Sequence, residues 1–183
     1  MIFKKEIELA RKSKYYAPLD LSVWLCYNKS KKHKNEGKMK SETRLMEERD
    51  RAAVLDMMRG FYASDAVSTN GSEEIFESDI TGCVSDNPYI EGYVFECEGR
   101  IQGYAMLAKS FSTEFGKPCI WIEDLFVKEE YRAQGIATGF FRFIENKYPA
   151  ALFRLEVEPE NEKALRVYTR AGFDTLPYME MKK

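Results

Sequence analysis

The sequence has very little of two residue types on which many active sites depend. It contains a single histidine, His33, and four scattered cysteines, Cys26, Cys83, Cys97 and Cys119. The cysteines lack the paired spacing of zinc ligands and one histidine cannot complete a set, so we expect no metal site. Because His33 lies in a lysine-rich tract, no Ser-His-Asp or Cys-His arrangement is expected, which disfavours covalent catalysis.

Long apolar runs are absent as well. No stretch approaches the roughly 20 consecutive apolar residues that span a bilayer. The longest run near the start, LSVWLC, is too short for the core of a secretory signal. We therefore expect no membrane insertion, and we expect the cysteines to be reduced thiols in a cytoplasmic protein.

Charge is unevenly distributed along the 183 residues, a length that suits one domain. Residues 1–40 contain 11 Lys and Arg against 4 Asp and Glu, whereas residues 41–183 contain 17 against 26. We interpret 1–40 as a flexible basic extension, and Met39 leaves open the alternative that translation starts there and the extension is not native. The acidic body, 41–183, would attract cationic ligands and repel nucleic acid, although simple solubility explains it equally well.

From residue 42 onward, regular apolar periodicity predicts an α+β domain. A strand run at 119–127, a helical stripe from Ala137 to Tyr148 and a strand run at 151–158 predict a parallel crossover in a mixed, mostly antiparallel sheet. The predicted strands are 42–48, 89–98, 100–110, 119–127, 151–158 and 178–183; the other predicted helices follow Asp50, follow Asn70 or Ser72, and run from Asn161 to Gly172.

One stretch, EDLFVKEEYRAQGIATGFFRFIE at 123–145, joins a strand to a helix through an unusual turn. Gly135 and Ala137 carry almost no side chain where the chain changes direction, so the backbone can approach a ligand closely. The first amide groups of the following helix point one way and, with the helix dipole, favour an anion such as phosphate. The turn therefore predicts a diphosphate ligand, and a purely steric tight turn is the alternative.

A second segment, NEKALRVYTRAGF at 161–173, follows the turn after about 25 residues. Spacings of three, four and seven place Ala164, Leu165 and Tyr168 on one helical face with Asn161. YRAQGIA followed by this segment resembles the GNAT superfamily of N-acetyltransferases over roughly residues 42–183, whereas 1–40 has no counterpart. The resemblance implies a GNAT-like sheet of six to seven strands flanked by about four helices.

The resemblance also implies that acetyl-coenzyme A is the co-substrate. Its pantetheine arm would lie where Leu125, Phe126 and Val127 splay away from the strand at 152–157, and the backbone near Val127 would polarise the thioester carbonyl. Asn161 would assist binding, with a simple helix cap as the alternative. The pyrophosphate-binding turn would consist of Arg132, Gln134, Gly135, Ile136, Ala137 and Thr138.

Three side chains are candidates for acid–base chemistry. An alkyl ammonium has a pKa near 10.4 and must lose a proton before it attacks, so a base or a water relay is needed. Glu123 is the first candidate and Asp124 the second, and because they are adjacent on a strand only one should reach the site. Tyr168 occupies the family position of the acid that protonates the departing thiolate. Structural carboxylates and a core tyrosine are the alternatives.

The stretch IWIEDLFVKEEYR is similar to the corresponding segment of the spermidine/spermine, or diamine, N-acetyltransferases. It implies direct transfer to a small cationic amine, such as a polyamine, a diamine or a lysine-like molecule, in a ternary complex. Acetylation of a protein N-terminus or lysine, and a non-catalytic acetyl-CoA sensor, are the alternatives. The loops 63–72 and 110–118 are expected to select the acceptor. A homodimer is one option, and the oligomeric state stays open.

Overall fold

The computed structural model describes residues 41–67, 71–179 and 181, so the predicted extension at 1–40 lies outside the described residues. This part of the chain contains five strands and four α-helices. The elements are β1 (Glu42–Leu45), α1 (Arg51–Tyr62), α2 (Glu73–Val84), β2 (Ile90–Cys97), β3 (Arg100–Ser112), β4 (Lys117–Val127), α3 (Ile136–Lys147), β5 (Leu152–Leu155) and α4 (Glu162–Arg170).

The five described strands form one sheet in the order β1-β2-β3-β4-β5. Strands β1 to β4 pair antiparallel, whereas β4 and β5 are parallel and are connected through α3. Glu98 and Gly99 form the turn between β2 and β3, and both have positive φ, at 51° and 73°. A two-residue turn of this kind matches the twist of the paired strands. The α+β class, the antiparallel meander and the parallel crossover are confirmed.

Helices cover both faces of the sheet because alternate strand residues point to opposite sides. Val94, Tyr104 and Met106 pack with α1 and α2 on one side, which we call the α1–α2 face. Phe95 and Leu107 belong to the core beneath α3 on the other side, where α4 also packs, and we call this the α3–α4 face. The site described below lies where β4 separates these two cores.

The predicted number of strands was wrong. The described sheet has five strands rather than six to seven, and the run predicted at 178–183 is not a strand at Tyr178, Met179 or Met181. The side chains of Tyr178 and Met179 are largely exposed, so the apolar alternation there is not matched by burial against a core. β5 is also shorter than the predicted 151–158, since its pairing with β4 stops at Leu155.

Helix termini follow their sequence signals. The hydroxyl of Ser72, one of the two predicted caps, accepts a hydrogen bond from the Ile75 amide at 3.3 Å at the start of α2. Helix α4 is followed by Gly172 with φ of 94°, a conformation that glycine adopts without steric cost. None of the described helices combines the length and the apolar character needed to cross a membrane. Cys83, Cys97 and Cys119 are free thiols.

Candidate active site

The sheet opens at the second half of β4. The parallel pairing of β4 with β5 begins at Cys119 and ends at Ile122, whereas its pairing with β3 continues to Val127. Residues 123–127 therefore have no strand partner on the β5 side within the described chain. The Lys128 amide donates to the Gln102 carbonyl at 2.9 Å, which fixes the alternation of the ladder. By that alternation the amides of Leu125 and Val127 point away from β3 toward the open edge.

A β-bulge at Glu123 decides which way its neighbours face. Met106 lies opposite Asp124 and Leu107 lies opposite Ile122, so Glu123 has no residue opposite it on β3. The extra residue shifts the alternation of β4 by one. Ile122 consequently packs on the α3–α4 face, whereas Asp124, two residues later, points to the α1–α2 face.

The bulge leaves two adjacent carboxylates in different surroundings. Glu123 is exposed, whereas Asp124 is only 4% exposed. The sequence predicted that the two would face different ways, and it gave no sign of the bulge that sets which one is buried. A regular strand would have turned Asp124 toward the α3–α4 core with Ile122.

Two phenols hold the buried Asp124 carboxylate. Tyr62 donates to Oδ1 at 3.1 Å and Tyr104 donates to Oδ2 at 2.8 Å. Burial raises the pKa of Asp124 to about 6; the two hydrogen bonds oppose this rise, and the negative charges of Asp79 and Glu123 add to it. No Lys or Arg of the described chain forms an ion pair with Asp124. At neutral pH the site therefore holds a buried negative charge that no Lys or Arg of the described residues pairs with.

A cleft of about 300 Å³ lies where α1 ends and α2 begins. Gly71 is required in its wall, because a Cβ atom there would lie 2.1 Å from the Phe76 ring. Arg59 and Glu73 form an ion pair across the same cleft. The cleft lies beside the loop 63–72 that was predicted to select the acceptor, and its lining residues are Arg59, Tyr62, Ala63, Gly71, Glu73 and Phe76.

The turn before α3 has the geometry of an anion site. Ala133 and Gly135 both have positive φ, at 58° and 84°, and α3 begins at Ile136 without a side-chain cap. The Gly139 amide donates to the Gly135 carbonyl at 2.8 Å, while the first-turn amides of Ile136, Ala137 and Thr138 precede the helical ladder. Amides presented in this way, at the positive end of a helix dipole, favour a phosphate group.

Two predicted side chains brace this turn rather than extend from it. The Nε atom of Arg132 donates to the Val127 carbonyl at 2.9 Å, and its guanidinium lies 5.9 Å from the centre of the Phe126 ring. The Nε2 atom of Gln134 donates to the Glu130 carbonyl at 3.1 Å. The Arg132 contacts fix the turn to the end of β4, and the Gln134 bond lies within the turn.

Helix α4 carries Tyr168 to the α3–α4 face. The Tyr168 ring packs against Phe141 and Phe173, and burial raises the pKa of its phenol. Asn161 caps α4, since its Oδ1 atom accepts from the Ala164 amide at 3.1 Å. Of the predicted site residues, the structure groups Leu125, Val127, Ile136, Ala137 and Tyr168 around one core and turns Asp124 and Phe126 to the other face.

The side chains that surround Asp124 were not predicted from the sequence. Tyr62 and Tyr104 were included in apolar stripes or strand runs, and they lie 62 and 20 residues from the carboxylate. The only available signal was a phenol within each apolar pattern, which needs a polar partner when it is buried. Among the described residues, no group of three or more His, Cys, Asp or Glu side chains could hold a metal ion.

Comparisons with known proteins agree with this architecture. Residues 53–173 match the model of the acetyltransferase (GNAT) family. A thialysine N-epsilon-acetyltransferase of Sus scrofa is 32% identical over 138 residues, which cover 68% of this chain and 79% of the relative.

Solved structures share the fold at lower identity. A possible acetyltransferase from Clostridium difficile 630 superposes with a TM-score of 0.68 at 18% identity, covering 79% of this chain and 97% of that one. An aminoglycoside N-acetyltransferase, AAC(6')-Iy, solved in complex with CoA, gives a TM-score of 0.62 at 14% identity, covering 80% and 95%. The chain thus belongs to the GNAT family and is an acetyl-CoA-dependent N-acetyltransferase.

Proposed function

We propose that the protein transfers the acetyl group of acetyl-CoA to the primary amine of a small cationic acceptor, by direct attack in a ternary complex. The observation that carries this proposal is the buried Asp124 carboxylate, which has no cationic partner in the described chain. A buried charge without a counter-ion is costly, and an ammonium ligand would offset that cost. The similarity to a thialysine N-epsilon-acetyltransferase favours a lysine-like acceptor among the small cationic amines.

The co-substrate would bind along the open edge of β4. The amides of Ile136, Ala137 and Thr138 would hold the pyrophosphate, with Arg132 and Gln134 bracing the turn around it. The outward-pointing amide of Val127 would donate to the thioester carbonyl, where negative charge develops during attack. A fixed donor at that position typically contributes several kcal/mol to the transition state. Asn161 would support the site indirectly, by capping the helix that carries Tyr168.

Two groups would move the protons. Asp124 is the carboxylate that its surroundings favour as base, because burial raises its pKa to about 6, close to the working pH. Glu123, at the bulge, stays the alternative. Tyr168 would protonate the departing thiolate, and the raised pKa of its buried phenol keeps that proton in place until the thiolate forms.

Release of free CoA by the purified protein tests this function. The panel contains lysine, thialysine, spermidine, putrescine, an aminoglycoside and peptides with free N-termini. We expect turnover on at least one small cationic amine and a product heavier by one acetyl group. Turnover confined to peptides would move the assignment to protein acetylation. A protein that binds acetyl-CoA but turns over no member of the panel would refute the proposed function.

A comparison of Glu123→Gln with Asp124→Asn identifies the base. Each change removes one carboxylate from an adjacent position and keeps the side-chain shape. We expect Asp124→Asn to lose about 10²-fold or more in kcat, as removal of a general base typically does, and Glu123→Gln to lose far less. The reverse order would assign the base to Glu123.

Cytoplasmic location and a homodimer stay predictions. Fractionation of cells and light scattering of the purified protein would check them.

A further inference from the structure

Tyr62 lines the cleft and also binds the buried carboxylate. It is the last residue of α1, its ring packs against Phe61 and Phe76, and it is one of the residues that line the cleft. Its hydroxyl lies 3.1 Å from Oδ1 of Asp124. Of the described residues lining the cleft, it is the one whose hydrogen bond reaches Asp124.

The second phenol on the same carboxylate is placed differently. Tyr104 lies in β3, is fully buried, and does not line the cleft. It binds the other carboxylate oxygen at 2.8 Å. Both oxygens of Asp124 thus accept a phenol hydrogen bond, only 4% of the residue is exposed, and among the described residues that line the cleft it is Tyr62 that contacts it.

We infer that the cleft at the α1–α2 junction receives the acceptor amine and that Tyr62 relays the amine proton to Asp124. This inference rests on the proposed function and adds a catalytic residue and an acceptor site to it. Neither the family resemblance nor the named relatives point to Tyr62; the juxtaposition of cleft, phenol and buried carboxylate does.

The relay balances in protons and charge. One N–H bond of the ammonium breaks, the nitrogen keeps the electron pair, and the proton forms an O–H bond on Tyr62. At the same time the original O–H bond of Tyr62 breaks and its proton passes to Oδ1 of Asp124. An ammonium and a carboxylate become a neutral amine and a neutral acid, Tyr62 ends as a phenol, and Asp124 returns its proton to solvent after the product leaves.

The surroundings of Asp124 favour the conversion of an ammonium and a carboxylate into a neutral amine and a neutral carboxylic acid. Burial penalises the charged form of Asp124 most strongly, and it also keeps the pKa of the Tyr62 phenol above its usual range. The titratable groups that face Tyr62 and Asp124 are Asp79 and Cys83 on α2, Tyr104 on β3 and Glu123 on β4.

A matched pair of variants tests the relay in the full-length chain. Tyr62→Phe and Tyr104→Phe each remove one hydroxyl from the same carboxylate and keep the ring. If both tyrosines act only as hydrogen-bond donors, the two variants should shift the acid limb of the kcat–pH profile to higher pH by a similar amount and lose similar activity. The relay predicts that Tyr62→Phe alone loses about 10²-fold or more in plateau kcat, because it also removes the path of the proton.

Three controls make every outcome decisive. Acetyl-CoA binding and circular dichroism verify that both variants are folded, and the acceptor KM separates binding from proton transfer. A proton inventory of wild-type kcat in mixtures of H₂O and D₂O needs no variant, and a relay that moves two protons together predicts a curved plot. Equal kcat losses in the two variants, a kcat loss in Tyr62→Phe that falls short of about 10²-fold, or a linear proton inventory would overturn the relay. Wild-type inactivity on every amine would overturn the proposed function instead.

Discussion

Replacing Asp124 by asparagine tests whether the buried carboxylate lowers the stability of the fold. Burial raises the pKa of Asp124 to about 6, and the value in an unfolded chain is about 3.9. The folded protein therefore binds more protons than the unfolded chain between these values, so its free energy of unfolding falls as pH rises from about 4 to about 6. At pH 7 the ionised carboxylate lowers the free energy of unfolding by about 3 kcal/mol, at about 1.4 kcal/mol per pKa unit.

Asparagine removes the charge and keeps the shape. Its carbonyl oxygen can accept from one phenol, and its amide can donate to the oxygen of the other, so Tyr62 and Tyr104 both keep a partner. We expect Asp124→Asn to raise the free energy of unfolding at pH 7 by about 1–3 kcal/mol and to abolish most turnover. At pH 4, where the native carboxyl is protonated, we expect the two proteins to differ little.

Urea denaturation of both proteins between pH 4 and pH 8 measures this difference. Asp50 and Glu91 also titrate, but they do so in both proteins, so subtracting one curve from the other isolates Asp124. Asp86→Asn, at an exposed position after α2, is the matched control for the loss of one carboxylate charge. An Asp124→Asn protein that is less stable than wild type at pH 7, or a stability difference that is independent of pH, would contradict the prediction.

Three further changes probe other parts of the structure. Tyr168→Phe should lower kcat by about 10²-fold without weakening CoA binding in calorimetry, and a smaller loss would leave it as a core residue. Gly135 has φ of 84°, so Gly135→Ala should destabilise the fold by about 1–2 kcal/mol in urea melts and weaken CoA binding. Gly60→Ala, within helix α1, should instead stabilise the fold by about 0.5–1 kcal/mol. Equal effects of the two changes would contradict the need for glycine in the turn. Hydrogen bonds from its neighbours outweigh burial and lower the pKa of Glu91 to about 2. Glu91 should therefore contribute about 1–2 kcal/mol to the loss of wild-type stability as pH drops from about 4.5 to about 2. Glu91→Gln should remove that contribution, and an unchanged acid limb in urea melts would contradict it.

Local patterns predicted most of the fold. The helix after Asp50, the cap at Ser72, the β2–β3 hairpin at Gly99 and the end of α4 at Gly172 each depend on neighbouring residues or on a backbone conformation that one residue type favours. These features are decided within a few residues, so the sequence carries them directly. The extra strand at 178–183 was wrong because alternation alone does not show that a partner edge and a core are present.

In the candidate site, too, the local features were predictable from the sequence and the long-range contacts were not. The small-residue turn and the cap at Asn161 were readable, because helix-terminus chemistry is local. The pairing of Asp124 with Tyr62 and Tyr104 was not readable, because it joins α1, β3 and β4 across long stretches of chain. The roles predicted for Glu123, Asp124, Tyr168 and the cofactor-binding residues await the experiments above.

By itself, then, the sequence determined the α+β order of elements, the turn and helix that suit a phosphate, and membership of an acetyltransferase family. Tertiary structure alone decided which carboxylate is buried, because a one-residue bulge at Glu123 shifts the alternation of β4 and turns Asp124 toward α1 and α2. Register between strands depends on pairing energies summed over the whole sheet, and no pattern within β4 contains them. The chemistry proposed for this protein depends on that shift of one residue.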